Sequence, residues 1–232
     1  MQLFYCTEID SDRIILDEEE SRHCFSVLRY KAGDELSVTD GLGNLYHSKI
    51  KSISKNSCEA EIMEAIKDTE KRSFHLHLAV APPKNNERLE WFLEKATEIG
   101  IDEITPIICE HSERRILKTE RLKKILITAM KQSGRVYLPK LNESVTFKNF
   151  IGRKFSANKF LGYHDAEHSL KKSCPQGEDV LVLIGPEGDF STEEIKLARA
   201  SGYKEVSMGT FRLRTETAAL VACHTINLLN QD

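Results

Sequence analysis

Two rhythms of apolar and polar residues divide the chain. Over roughly its first 70 residues, a length typical of small closed barrels, short segments alternate at the two-residue period of half-buried strands. They read "LFYC", "RIIL", "DELSVTD", "LYHSKIKSIS" and "SCEAEIMEAI". The turn Gly41-Leu42-Gly43-Asn44 joins the third and fourth of these, and "DEEESRHCFSVLRY" reads as a helix with Asp17 as N-cap. The predicted product is a small closed barrel, an architecture frequent among RNA-binding modules. The charged run "KDTEKR" (67–72) reads as a linker.

From Phe74 the rhythm changes to strand alternating with helix. "FHLHLAVAP", "ITPIIC", "KFLGYH" (159–164), "VLVLIGP" and "EVSMG" are apolar, strand-like runs. Between them, Asn86 is expected to cap a helix whose inner face holds Leu89, Phe92, Leu93, Ala96 and Ile99, closed by Gly100. Further helices are predicted over Glu120–Ser133, around 168–173, over 192–201 and over 216–229. The stretch from Leu141 to Asn158 fits no single period and is assigned to no element. Alternation of this kind predicts a parallel sheet with helices on both faces, so the domains are drawn at 1–70 and 74–232.

Composition adds limits. At 232 residues, 40% hydrophobic and 30% charged, the chain has an ordinary soluble make-up. No apolar run approaches the roughly 20 residues needed to span a bilayer, and "MQLFYCTEID" has no secretory pattern. The six cysteines (6, 24, 58, 109, 174 and 223) include no C-x-x-C pair. They suit a reducing cytoplasm. The net charge of -3 argues against a general nucleic-acid coat, yet 111–140 holds nine Lys or Arg against two Glu. That stretch is either a docking surface for a polyanion or a solvated helix face. Its candidates are Arg114, Arg115, Lys131 and Arg135. Arg22 and Arg29, seven residues apart and thus expected on one helix face, are candidates in the first part.

Chemistry concentrates at strand ends. "IGPEG" follows a buried strand but lacks the Gly-Lys-Ser/Thr of a phosphate loop and the third glycine of the dinucleotide fingerprint. Glu187 and Asp189 would repel a phosphate and attract a cation. Ser191 and Glu194 form a capping box, which occupies the next helix end. The loop is then either a tight strand–helix turn or a site for a cationic ligand. A second loop, "SMGTFRLRTETA", carries Arg212 and Arg214 into a helix that is apolar on nearly all sides and is expected to be buried in the core or at a subunit interface. A third strand end, "LGYHD", carries another glycine. His164 and His168 stand four apart, but with no third ligand nearby a metal is not expected.

Taken in order, "SRHCFSVLRYKAGDELSVTDGLGNLY", "ERLEWFLEKATEIGIDEITPI", "AMKQSGR", "LIGPEGDFSTEE" and "MGTFRLRTETA" resemble the small-subunit ribosomal RNA uridine-N3 methyltransferase family of the SPOUT superfamily. The resemblance covers nearly the whole chain. Asp189 departs from it, standing where the family usually has a second glycine. The resemblance implies an α/β fold: a SPOUT-type parallel sheet with a C-terminal trefoil knot, plus a small N-terminal PUA-like β-barrel for RNA. It also implies a homodimer, S-adenosyl-L-methionine as cofactor and small-subunit (16S) ribosomal RNA as substrate.

By the same resemblance the cofactor lies against three loops. Leu161, Gly162 and His164 come from the first. Ile184, Gly185, Pro186, Glu187 and Gly188 come from the second, with a Cβ at Gly185 expected to enter the ligand's space. Met208, Gly209, Leu213, Thr215 and Thr217 come from the third. The sulfonium cation suits acidic flanks. Uridine N3 becomes nucleophilic as its proton leaves, so a cation or a base is needed. Arg214 and Arg212 are candidates for stabilising the uridinate, and Glu216 for orienting an arginine or taking the proton. Two other readings compete. A non-catalytic RNA-binding module need not keep both loops, and an ordinary nucleotide-binding enzyme would need the missing phosphate glycines.

Overall fold

The computed structural model describes residues 2–67 and 72–231, so most of the expected linker lies outside the described residues. The chain forms two compact units, one of residues 1–71 and 127–138, the other of 72–126 and 139–232.

In the first unit, β1 (Leu3–Tyr5), β2 (Arg13–Leu16), β3 (Glu35–Thr39), β4 (Leu45–Ile53) and β5 (Cys58–Ile66) pair in the order β1-β3-β4-β5-β2. β1 and β3 run parallel and the other neighbours antiparallel. Alternation decides which side chains turn inward: Ile14 and Leu16 of β2 are buried while Arg13 and Ile15 are not. Phe4, Ile14, Leu36, Val38, Ile50 and Ala60, from all five strands, share one core. The expected helix is two structures. Asp17 caps α1 (Glu18–Arg22), its carboxylate accepting the Glu20 N–H at 2.8 Å, and a π-helical turn follows over His23–Leu28. The wider turn buries Cys24 and leaves Phe25 and Val27 exposed. Arg29 ends it in the left-handed region (φ 59°). Arg22 and Arg29 therefore do not share a regular helical face, because the π turn and the left-handed residue break the seven-residue spacing.

In the second unit, β6 (Leu76–Val80), β7 (Glu103–Ile108), β8 (Lys140–Leu141), β9 (Val145–Thr146), β10 (Asn158–Gly162), β11 (Val180–Ile184) and β12 (Lys204–Val206) make a seven-stranded sheet. The order is β12-β10-β11-β6-β7-β8, with β9 also on β7, and every pair is parallel. β6 and β11 are buried along their whole length, as central strands of a sheet covered on both faces must be. The stretch left unassigned in the sequence supplies β8, β9 and α4 (Phe147–Ile151), pieces too short to show a period. α2 spans Asn86–Ile99 with Asn85, not Asn86, as its N-cap: the Asn85 side chain accepts the Glu87 N–H. Asn86 is already helical and cannot supply that bond. The helix expected around 168–173 shrinks to one turn, α5 (Leu170–Ser173). α3 (Thr119–Ser133), α6 (Thr192–Ala200) and α7 (Thr215–Leu229) complete the chain, α7 packing on α2, β6 and β11.

Candidate functional site

Parallel α/β sheets gather their loops at the carboxyl ends of the strands, where crevices form. Here the loops after β10, β11 and β12 enclose a cavity of about 640 Å³. Its walls are Gly162, Tyr163 and His164 after β10; Ile184, Gly185, Pro186, Glu187, Gly188 and Asp189 after β11; and Met208, Gly209, Phe211, Arg212, Leu213, Arg214, Thr215 and Ala218 leading into α7. The size suits a drug-sized ligand, for which pockets run about 300–1,000 Å³.

Sequence-distant groups hold the walls in place. The Thr215 hydroxyl donates to the Gly185 carbonyl at 2.9 Å, pinning the start of α7 to the second loop. The Lys84 N–H donates to Glu187 Oε1 at 3.0 Å. Ser191 and Glu194 form the expected capping box at α6. The glycines are needed for close packing. A Cβ on Gly162 would stand 3.1 Å from both Ile184 Cδ1 and the Leu183 carbonyl. A Cβ on Gly185 would meet the Phe190 ring at 3.0 Å, so packing within the loop already requires a glycine there. Phe190 itself is buried against Phe147. Asp189 sits at φ 61°, a conformation that favours glycine, with its carboxylate accepting the Phe190 N–H at 2.8 Å.

Most of the residues expected at the cofactor meet at this cavity, and two do not line it. Leu161 is fully buried in the sheet core with Ala79 and Leu183, and Thr217 stands half-buried in α7. Arg212 and Arg214 line the cavity and are exposed. Glu216 does not line it. It is only 6% exposed, its Oε1 lies 3.6 Å from Arg88 Nε, and its Oε2 has no hydrogen-bond partner among the described residues. Tyr163 and Phe211, inside the expected loops but not singled out there, are wall residues too, and sequence reasoning missed Asp189 and Ala218 as wall residues and Arg88 as the partner of Glu216. Phe211 is 82% exposed at a loop tip, and an aromatic residue beside two arginines is the sequence signal that marks it.

The basic candidates divide between the units. Arg114 donates to the carbonyls of Pro83 (3.2 Å) and Lys84 (3.0 and 2.5 Å), and Arg115 donates to the Glu110 carbonyl at 3.2 Å. In the other unit, Lys131 is ion-paired with buried Glu20, Arg22 pairs with Glu18, Arg29 is exposed and Arg135 is half-buried. Phe25 and Val27 are exposed beside Arg22 and Arg29. Among the described residues no three His, Cys, Asp or Glu stand where they can hold a metal, and no helix is long and apolar enough to cross a membrane.

Comparison with known proteins fits this geometry. An RNA methyltransferase domain family matches residues 69–227, and an RNA methyltransferase PUA domain family matches 16–63. "Ribosomal RNA small subunit methyltransferase E" of Aquifex aeolicus is 31% identical over 224 residues, 95% of this chain and 96% of that protein. The crystal structure of a "probable rRNA-methyltransferase" from Porphyromonas gingivalis superposes with a TM-score of 0.92 at 39% identity, covering 99% and 98% of the two chains. A ribosomal RNA small subunit methyltransferase E from Neisseria gonorrhoeae, bound to S-adenosyl methionine, superposes with a TM-score of 0.90 at 26% identity over 99% and 98%.

Proposed function

The chain belongs to the ribosomal RNA small subunit methyltransferase E family, and on that premise we propose that it methylates N3 of a uridine in small-subunit ribosomal RNA, using S-adenosylmethionine. The observation that carries this reading is the cavity where Gly162, the 184–189 loop and the 208–215 loop converge beneath two exposed arginines. Its residues fit the cofactor. Ile184, Met208, Leu213 and Ala218 offer apolar wall, and Glu187 offers a carboxylate without any lysine lining the cavity. When bound, the cofactor supplies an activated methyl group, so no separate activation of the donor falls to the protein.

The chain's own residues then have two tasks, to hold uridine N3 at near-attack distance and to favour its deprotonated form. Arg214 and Arg212, exposed at the cavity, are proposed to stabilise the uridinate. Glu216, buried beside Arg88, is proposed to fix the first turn of α7 and so the direction of Arg214, rather than to take the proton. The N-terminal unit, drawn at 1–70, is proposed as the PUA-like RNA-binding barrel, with Arg22 and Arg29, and Lys131 and Arg135 from the 127–138 segment that joins the same unit, meeting phosphates. Arg114 and Arg115 are proposed to do the same from the 74–232 methyltransferase domain. Ribosomal RNA as substrate and six buried thiols favour a cytoplasmic enzyme.

Two structural expectations belong to the same reading. The C-terminal chain is inferred to thread a trefoil knot. In support, α7 follows the edge strand β12 yet packs on β6 and β11 in the middle of the sheet. A homodimer is inferred from the outer face of α7, where Leu220 and Val221 are half-buried and Leu228 is exposed; light scattering at micromolar concentration that returned a monomer would refute it. The central test is calorimetry with S-adenosylhomocysteine, then methylation of small-subunit RNA with mapping of the modified atom. Binding followed by a methyl on uridine N3 is expected. Absence of binding, or a methyl on another atom, would overturn the proposal.

A further inference from the structure

The loop that follows β7 lines no part of the cavity, yet it grips the cavity wall from outside at two places. Cys109–Ser112 is a closed turn: the Cys109 N–H donates to Ser112 Oγ at 2.9 Å, the Ser112 N–H returns to the Cys109 carbonyl at 3.2 Å, and Ser112 is 5% exposed. From this base His111 reaches the second cavity loop. Its Nδ1 lies 3.0 Å from the carbonyl oxygens of both Gly188 and Asp189. Carbonyls only accept, so Nδ1 carries the proton and is a donor shared between the two. The approach is close: a Cβ on Gly188 would stand 3.1 Å from the His111 Cβ. The clamped segment includes the left-handed Asp189, a backbone state that persists only where its surroundings hold it. Next to His111, the Glu110 N–H donates to Glu194 Oε1 at 2.9 Å, while Glu194 Oε2 accepts the Ser191 N–H in the capping box.

The second grip runs through the loop after β6. Arg114 donates to the Pro83 and Lys84 carbonyls, Lys84 Nζ pairs with Glu113 at 2.7 Å, and the Lys84 N–H holds the Glu187 carboxylate. One short loop thus carries the basic residues proposed to meet RNA and the His111 that holds Gly188 and Asp189, and through Arg114 and Glu113 it also holds the Lys84 segment that fixes Glu187. Arg115 and Ile116 of the same loop are exposed.

We propose that His111 is a positioning residue for the 184–189 loop, and that through it RNA phosphates docked on the Arg114–Arg115 loop tighten cofactor binding. This rests on the methyltransferase reading above. Phosphates engaging the arginines would restrain the loop that bears His111. The restrained His111 would hold the two carbonyls in place, and the cofactor would bind a wall already ordered. Linkage requires the converse, so bound cofactor strengthens RNA binding by the same factor.

The test titrates S-adenosylhomocysteine by calorimetry into the full-length protein, alone and saturated with a small-subunit ribosomal RNA fragment. The wild-type affinity is expected to rise about fivefold or more with RNA, the lower end of typical coupling. His111→Ala should reduce that rise to less than about twofold while leaving RNA affinity by filter binding within about twofold of wild type. His111→Asn, which keeps an N–H donor on a short side chain, should restore most of it. The proposal is overturned if RNA leaves wild-type affinity unchanged, if His111→Ala keeps the full rise, if it loses RNA binding itself, or if Asn behaves as Ala does. Failure of the wild type to bind S-adenosylhomocysteine at all would defeat the methyltransferase reading and this proposal with it. Binding without coupling would defeat this proposal alone.

Discussion

Asp189 holds a left-handed backbone (φ 61°) that costs a non-glycine residue roughly 1–2 kcal/mol. Its carboxylate offsets part of that by accepting the Phe190 N–H, which is why an aspartate can hold a conformation that favours glycine. Asp189→Gly is therefore expected to stay within about 1 kcal/mol of wild type in chemical denaturation, whereas β-branched Asp189→Val should lose about 1–3 kcal/mol. Arg214 faces a different demand. If its cation stabilises the uridinate, Arg214→Ala should slow single-turnover methylation by about 2.7–4 kcal/mol of barrier, the loss seen for one charge-stabilising donor. Arg214→Lys should recover part of the rate, since a point charge does not reproduce a planar fork. Raising the pH should rescue the alanine variant. A variant as fast as wild type at every pH would remove Arg214 from the chemistry.

Helix ends do much of the positioning. Ser191 and Glu194 cap α6 reciprocally, and that cap sets where the chain leaves the Glu187–Asp189 loop. Ser191→Ala should cost about 0.5–2 kcal/mol of stability, read from the denaturation midpoint at constant slope. α7 is held by a polar pin within its apolar surface. Asn227 Nδ2 donates to the Gly100 carbonyl at 2.9 Å, closing the end of α2, and its Oδ1 accepts from Arg72 at 2.7 Å. Replacing Asn227 with Leu keeps the branched shape but removes one hydrogen bond from the Gly100 carbonyl, which still accepts from Arg72, and one from Arg72, which still pairs with Asp102. A loss of about 1–3 kcal/mol is expected. A variant as stable as wild type would show that water replaces the pin at no cost.

Within the parallel-sheet unit, stability is tied to pH through a buried histidine. Burial pushes the His77 pKa down from 6.5 to about 4, against the pull of Glu103. The ring sits edge-on to Phe150 and Phe155, with Nε2 2.8 Å from Thr105 Oγ1, which also accepts from Asn142. The fold holds this imidazole neutral and the unfolded chain does not. Its contribution is therefore complete above pH 6.5 and is lost as pH falls from 6.5 toward 4, by an amount on the order of 3 kcal/mol. Urea midpoints measured across that window should fall steeply for wild type and less for His77→Gln. Parallel slopes for the two would assign the acid sensitivity to other groups.

Local chemistry was legible in the chain itself. Strand and helix periods, the Asp17 cap, the Ser191–Glu194 box and the glycine closing α2 depend on residues a few positions apart, so spacing reveals them. The buried run "VLVLIGP" likewise betrays a covered parallel sheet, because no half-exposed strand would be apolar throughout. The loops that meet at the cavity were legible as motifs. What each residue does there was not, since it depends on segments far apart in sequence. Leu161 and Thr217 belong to the right segments but do not line the cavity, and Glu216 pairs with Arg88 from α2. Gly185 makes room for Phe190, and residues 127–138 join the N-terminal unit. His111 carries no motif: only the meeting of the β7 and β11 loops makes it a clamp. Spacing along a chain fixes which face a side chain takes on its own element, and only packing between elements fixes what that face meets.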